Sequence, residues 1–68
     1  MNKILEFRQS ANLTQQELSK RVAITQGALG HYETGRRTPK LDTARKIIAV
    51  FNQCGVNCTF EDIFPVET

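Results

Sequence analysis

Two short helices must meet within a single turn near the middle of this chain, and that restricts the fold more than any other feature. Thr14-Gln15-Gln16-Glu17 has the spacing of a capping box, in which the Thr hydroxyl accepts from the backbone N–H of Glu17 and the Glu carboxylate reaches back. The helix it opens carries Leu18 and Val22, four residues apart and so on one face. Leu13 and Leu18 have the spacing of a hydrophobic staple. Ala23-Ile24-Thr25 then predicts a tight turn. Ala23 is small where two helices approach, Ile24 is tucked into the core, and Thr25 caps the next helix, Gln26 to about Thr34. Leu29 and Tyr32, three residues apart, are its inward pair, and Gly35 ends it.

The flanking segments are also helical in pattern. Residues 3–11 place Ile4, Leu5, Phe7 and Ala11 on one stripe opposite Glu6 and Gln9, with Asn2 as N-cap and Asn12 as a left-handed end. Arg36-Arg37-Thr38-Pro39-Lys40 is a basic loop in which Pro39 keeps its predecessor out of helix. A fourth helix, about Leu41 to Phe51, buries Leu41, Ala44, Ile47, Ile48 and Phe51, with Asp42 favoured in its first turn by the helix dipole. Gly55 breaks the chain. Thr59 then caps a last helix, Phe60 to Phe64, whose apolar face is Phe60, Ile63 and Phe64 and which Pro65 stops. The count is five helices and no strand: an all-α single domain spanning residues 1–68.

A chain of 68 residues has room for one core and hardly for an enclosed substrate pocket. No paired-carboxylate, nucleophile-elbow or phosphate-loop motif is present, so no enzymatic activity and no cofactor or small-molecule ligand is expected. The net charge of +2 hides an uneven distribution. Residues 1–51 hold all nine Lys and Arg against four acids, a balance of +5, while residues 52–68 hold three acids and no base. A basic body suits a polyanion, and the acidic end must then face elsewhere. Cys54 and Cys58 are too few for a disulfide scaffold, and His31 belongs to another element, so reduced, buried thiols and no metal site are expected. The opening MNKILEFRQS has no apolar leader segment, and no run approaches the roughly 20 residues of a membrane helix. A cytoplasmic protein without membrane contact is expected.

Two helices joined by about three residues have helix-turn-helix geometry, in which the second helix of the pair enters the DNA major groove. The third helix meets the requirements. Leu29 and Tyr32 lock it inward. Its outward face offers Gln26, Gly27, Ala28, Gly30 and His31. Helix starts and Arg36, Arg37 and Lys40 flank it as phosphate ligands. Gln26 has the amide that can bond adenine bidentately. A lone acid beside such a helix would repel phosphate, so Glu33 is expected to turn inward and pair with Arg8.

Residues 13–35, LTQQELSKRVAITQGALGHYETG, and the following RRTPKLDTARKIIAVF resemble the Cro and phage-repressor family of helix-turn-helix domains. The likeness covers about residues 4–51 and resumes at TFEDIF. It implies a five-helix, lambda-repressor-like fold in a phage or prophage regulator. By the same resemblance, Gln15 contacts the DNA backbone and orients the first base reader, and Gln26, Gly27, Ala28 and His31 fall at base-reading positions. Thr25, Arg36, Arg37 and Lys40 are the remaining backbone contacts, and the family has an Arg–Glu pair at Arg8 and Glu33. The sequence departs from the family at Gly27 and Gly30, where Ser, Gln, Thr or charged residues are usual, and at Ala23, where Gly is usual. Its link before the last helix, which carries both cysteines, is longer than usual.

With no second domain for ligand sensing, the expected role is that of a Cro-like repressor bound to the bacterial nucleoid at a palindromic operator. One recognition helix spans only a few base pairs, so a two-fold homodimer, formed mainly on DNA, is expected. Its contact is expected in residues 52–68, through Val56, Phe60, Ile63 and Phe64. The alternative is a protein-interaction module, such as a compact antitoxin, with secondary DNA binding.

Overall fold

A computed structural model describes residues 2–65; Met1 and the last three residues of the acidic segment lie outside it. Five helices follow in order: α1 (Ile4–Ser10), α2 (Gln15–Val22), α3 (Gln26–Glu33), α4 (Leu41–Gln53) and α5 (Phe60–Ile63), with no strand among the described residues. This is the lambda-repressor-like helix-turn-helix fold. α2 packs on α3 and α4, α1 on α3, and α5 on α4. Ile4, Leu18, Val22, Leu29, Ile47, Phe51 and Ile63 form the innermost core, and the Phe7 ring stacks on Phe51 at a centroid distance of 6.3 Å.

The local signals act as the sequence requires. The Thr14 hydroxyl accepts from Glu17 N–H at 3.1 Å, and Thr14 N–H donates to the Glu17 carboxylate at 2.9 Å. Thr59 and Asp62 repeat this box at the start of α5, which lets a four-residue helix form at all. Leu13 and Leu18 are both buried, closing the staple. Asn12 turns the chain with φ 58°, and Gly35 and Gly55 adopt φ 79° and 84°. The Thr14 backbone N–H, and next the Thr14 hydroxyl, hold the Glu17 carboxyl below its ordinary 4.5, with desolvation opposing and Arg21 assisting. Because the folded value is the lower one, this contribution is complete above pH 4.5 and is lost as the pH falls through the folded value. The wild type should therefore melt above Glu17→Gln at neutral pH, with the gap closing below pH 4.5. A gap that is constant across an acid titration of both melting curves refutes this role for the carboxylate.

Several expectations are corrected. The N-cap of α1 is Lys3, which makes no side-chain capping bond. Asn2, one residue earlier, supplies the oxygen instead, accepting from Ile4 N–H at 3.1 Å. Leu5 is largely exposed rather than part of the core stripe. Ala23 does not sit in a close helix approach: it is exposed and ends α2 in the left-handed region, φ 63°, a conformation in which a β-carbon is strained. Leu41 is 52% exposed. At about 100° per residue it lies roughly 120° around α4 from Ile47, on the edge of the buried stripe, and Val50 takes the inner position. α4 also runs two residues past Phe51. Ile63, expected at an interface, is fully buried against the core. Of the two free thiols Cys58 is buried, but Cys54 is only half-buried, with the Arg21 guanidinium donating to its sulfur at 3.5 Å. Burial first, and then Asp62, pushes the Cys58 thiol up from its ordinary 9.0.

Candidate nucleic-acid interface

The exposed side of α3 is built by two sets of anchors. Thr25 accepts from Ala28 N–H at 3.0 Å, leaving the first N–H groups, at Gln26 and Gly27, without an intrahelical acceptor. Leu29 is fully buried and Tyr32 half-buried, so the helix is held from below. The Asn2 amide donates to the Tyr32 carbonyl at 2.8 Å, tying the N-terminus to the end of α3 across 30 residues of sequence. Nothing in the local pattern predicts that bond.

Gln26 and Gly27 are exposed, and Ala28, Gly30 and His31 are half-buried. A β-carbon on Gly27 would meet nothing within 4 Å, and one on Gly30 would meet only Gln15 Nε2, at 3.7 Å. Neither glycine has a left-handed backbone, so neither is needed for the conformation of α3. Their effect is to bare the helix. Gly27, Gly30, His31 and Thr34 line a shallow recess whose remaining wall is Arg36.

The basic loop folds beside this recess. Arg37 N–H donates to the His31 carbonyl at 3.2 Å, fixing the loop to the last turn of α3. Arg36, Arg37 and Lys40 are exposed, while Pro39 between them is buried. Pro39 thus anchors the loop as well as keeping its predecessor out of helix, and its sequence neighbourhood did not signal the anchoring role.

Glu33 turns inward as expected. Its carboxylate accepts from Arg8 Nε at 2.6 Å, with the two side chains only 14% (Arg8) and 5% (Glu33) exposed. Arg8 also donates to the Leu13 carbonyl at 2.9 Å. The second Glu33 oxygen accepts from Gln15 Nε2 at 2.8 Å, and Gln15 Oε1 in turn accepts from Gln26 Nε2 at 3.4 Å. A continuous chain therefore runs from the buried ion pair to the exposed tip of α3. The link from Glu33 to Gln15 spans 18 residues and has no sequence signature.

At α5, Phe60 is 43% exposed and packs at 5.0 Å on Phe64, which is half-buried, as is Val56, and Phe64 lines a recess with Thr34, Gly35 and Thr38 at the end of α3. Among the described residues no group of His, Cys, Asp or Glu is arranged to hold a metal ion, and no helix is long and apolar enough to cross a membrane.

A tight turn joining two packed helices, with the second helix bared on its outer face and flanked by exposed arginines, defines a helix-turn-helix DNA-binding domain. Residues 4–56 match the helix-turn-helix family of the Cro/C1 type, and the chain belongs to that family. Two proteins of Archaeoglobus fulgidus are similar over 62 residues. Each bears the name uncharacterized HTH-type transcriptional regulator. They are 42% and 37% identical to this chain, covering 91% of it and 80% and 81% of their own lengths.

Proposed function

We propose that this helix-turn-helix regulator acts as a Cro-like repressor in the cytoplasm, binding a palindromic operator as a two-fold dimer. The observation that carries the reading is the position of Gln26. It is exposed at the start of α3, bonded to Gln15, and next to Gly27, which shares a recess with the exposed Arg36. In this reading Gln26, Gly27, Ala28 and His31 face base edges. Gln15, Thr25, Arg36, Arg37 and Lys40 meet phosphates, with Arg36 reaching backbone beside the glycine recess. The glycines let the helix backbone come close to the duplex, and the few side chains that remain make readout by one subunit thin. Pairing two subunits places two recognition helices about 34 Å apart, one turn of B-DNA. Residues 52–64 form the dimer contact, through Phe60 with Val56 and Phe64; Ile63 supports them from the core.

Selection of bound sites from random DNA tests this directly, because it returns both the motif and its half-site spacing. Gln26→Ala should lose about 1–3 kcal/mol on the selected site and relax preference at one base position. Phe60→Asp is a cleaner interface variant than Val56→Asp, since Val56 packs on the core and an acid at the first residue of α5 suits the helix dipole. It should stay folded and bind the palindrome without cooperativity. Equal affinity per subunit for a half-site and for the palindrome overturns the dimer. Failure to prefer any duplex over random DNA favours a protein-interaction module of the antitoxin kind.

A further inference from the structure

Glu33 sits too deep to touch DNA, yet it controls the direction of two exposed amides. A carboxylate only accepts hydrogen bonds, so the Gln15 atom facing it at 2.8 Å must be Nε2. That fixes the other end of the amide: Gln15 Oε1 points to Gln26 and accepts one of its N–H groups. Gln26 is left with one N–H and one carbonyl oxygen. We infer that the Glu33 carboxylate, acting through Gln15, sets the hydrogen-bond polarity of Gln26 and so makes this domain select adenine over guanine at the base that Gln26 reads.

The selection follows from the major-groove edges of the two purines. Adenine offers N7 as acceptor and N6–H as donor, which match one N–H and one oxygen. Guanine offers two acceptors, N7 and O6, and a bidentate contact to them needs two N–H groups. With one N–H held by Gln15, Gln26 cannot present both. If Gln15 were released from Glu33, its amide could reverse, Gln26 would turn its oxygen toward Gln15, and both N–H groups would face the groove. Arg8 contributes as well, because its bond at 2.6 Å holds the Glu33 carboxylate in place. Glu33 is therefore a positioning residue for base choice. The inference rests on the proposed reading of Gln26 as a base reader.

The experiment measures the affinity ratio between two otherwise identical duplexes, derived from the selected site, carrying adenine or guanine at the Gln26-dependent position. Wild type should favour adenine by roughly ten- to a hundredfold. Two variants release the amide. The double variant Arg8→Met with Glu33→Leu replaces the ion pair by apolar side chains of similar size, an exchange that folded proteins often accept. Glu33→Gln keeps an oxygen for Arg8 and turns an amide N–H toward Gln15, which reverses the Gln15 amide, so it tests the same link if the double variant fails to fold. In both, the ratio should shrink to about threefold or less, whatever happens to overall affinity. A merely structural role would weaken both duplexes together and leave the ratio unchanged. If Gln26→Ala erases preference at one position while the releasing variants keep the wild-type ratio, the inference is overturned and Gln26 stands as base reader. If Gln26→Ala changes no base preference, the reading of Gln26 fails and the inference falls with it.

Discussion

Glu33→Ala should lower the melting temperature by at least about 12 °C, more than any other single loss of a surface-adjacent charge. Removing one member of a buried ion pair costs about 3–5 kcal/mol, because the other charge is left desolvated and alone. Arg8 is 14% exposed and keeps only the Leu13 carbonyl once Glu33 is gone. A domain of 68 residues has a total stability of roughly 3–10 kcal/mol at 0.05–0.15 kcal/mol per residue. The loss is thus a large share of the whole. Each kcal/mol corresponds to about 4–8 °C in domains this small. Glu6→Ala, on the exposed side of α1, is the control and should stay within about 0.5 kcal/mol of wild type. Thermal melts of the two variants decide the matter: equal midpoints would mean that Arg8 rehydrates freely.

That ion pair compensates for a weakness in the helix that carries recognition. Gly27 and Gly30 each cost about 1 kcal/mol relative to alanine within a helix, so α3 has little tendency to form by itself. It is held instead by anchors spread along its length: the Thr25 cap, the buried Leu29, the Asn2 amide on the Tyr32 carbonyl, and Glu33 on Arg8 and Gln15. Tertiary bonds allow the outer face to go without side chains while the helix keeps its position.

The division between what could and could not be read from the sequence has a physical basis. The capping box at Thr14, the cap at Thr59, the left-handed Asn12 and the stop at Gly35 depend on neighbours within four residues, and all were legible. The Arg8–Glu33 pair was legible because an acid on a helix that faces phosphate must turn inward, and the family resemblance places an Arg–Glu pair at these positions. Hydrogen bonds between distant residues were not, as with Gln15 to Glu33 and Asn2 to Tyr32. Nor was burial at the margins of a helical stripe. Leu41 and Val50 exchange roles because a rotation of some tens of degrees decides which side chain meets the core. Ile63 could not be separated from Phe60 and Phe64, since one turn of helix shows no period. The left-handed backbone at Ala23 is not legible, because a turn of three residues does not reveal the sign of φ.

Replacing Arg36, Arg37 and Lys40 together by alanine should cause the largest loss of DNA binding available without unfolding the protein. All three are exposed, and neither the Arg37 backbone bond to His31 nor the Lys40 backbone at the start of α4 depends on the side chain. Stability should therefore change by only about 0.5 kcal/mol per site or less. Binding is another matter. Each neutralised phosphate contributes about −0.9 to the slope of log affinity against log salt. Three contacts in each of two subunits make six, so the slope should become shallower by about 5 on a palindromic site. Contacts of that number change affinity by about a thousandfold between 50 and 200 mM salt, and most of that sensitivity should vanish in the variant. Selected and random duplexes should weaken in parallel, because phosphate contacts carry no base identity. Gln26→Ala should do the opposite, weakening the selected site while leaving the slope nearly intact. Salt titrations of the two variants on both duplexes therefore separate charge from readout. An unchanged slope in the triple variant would remove the basic loop from the interface and leave the helix starts, with their free N–H groups, as the phosphate ligands.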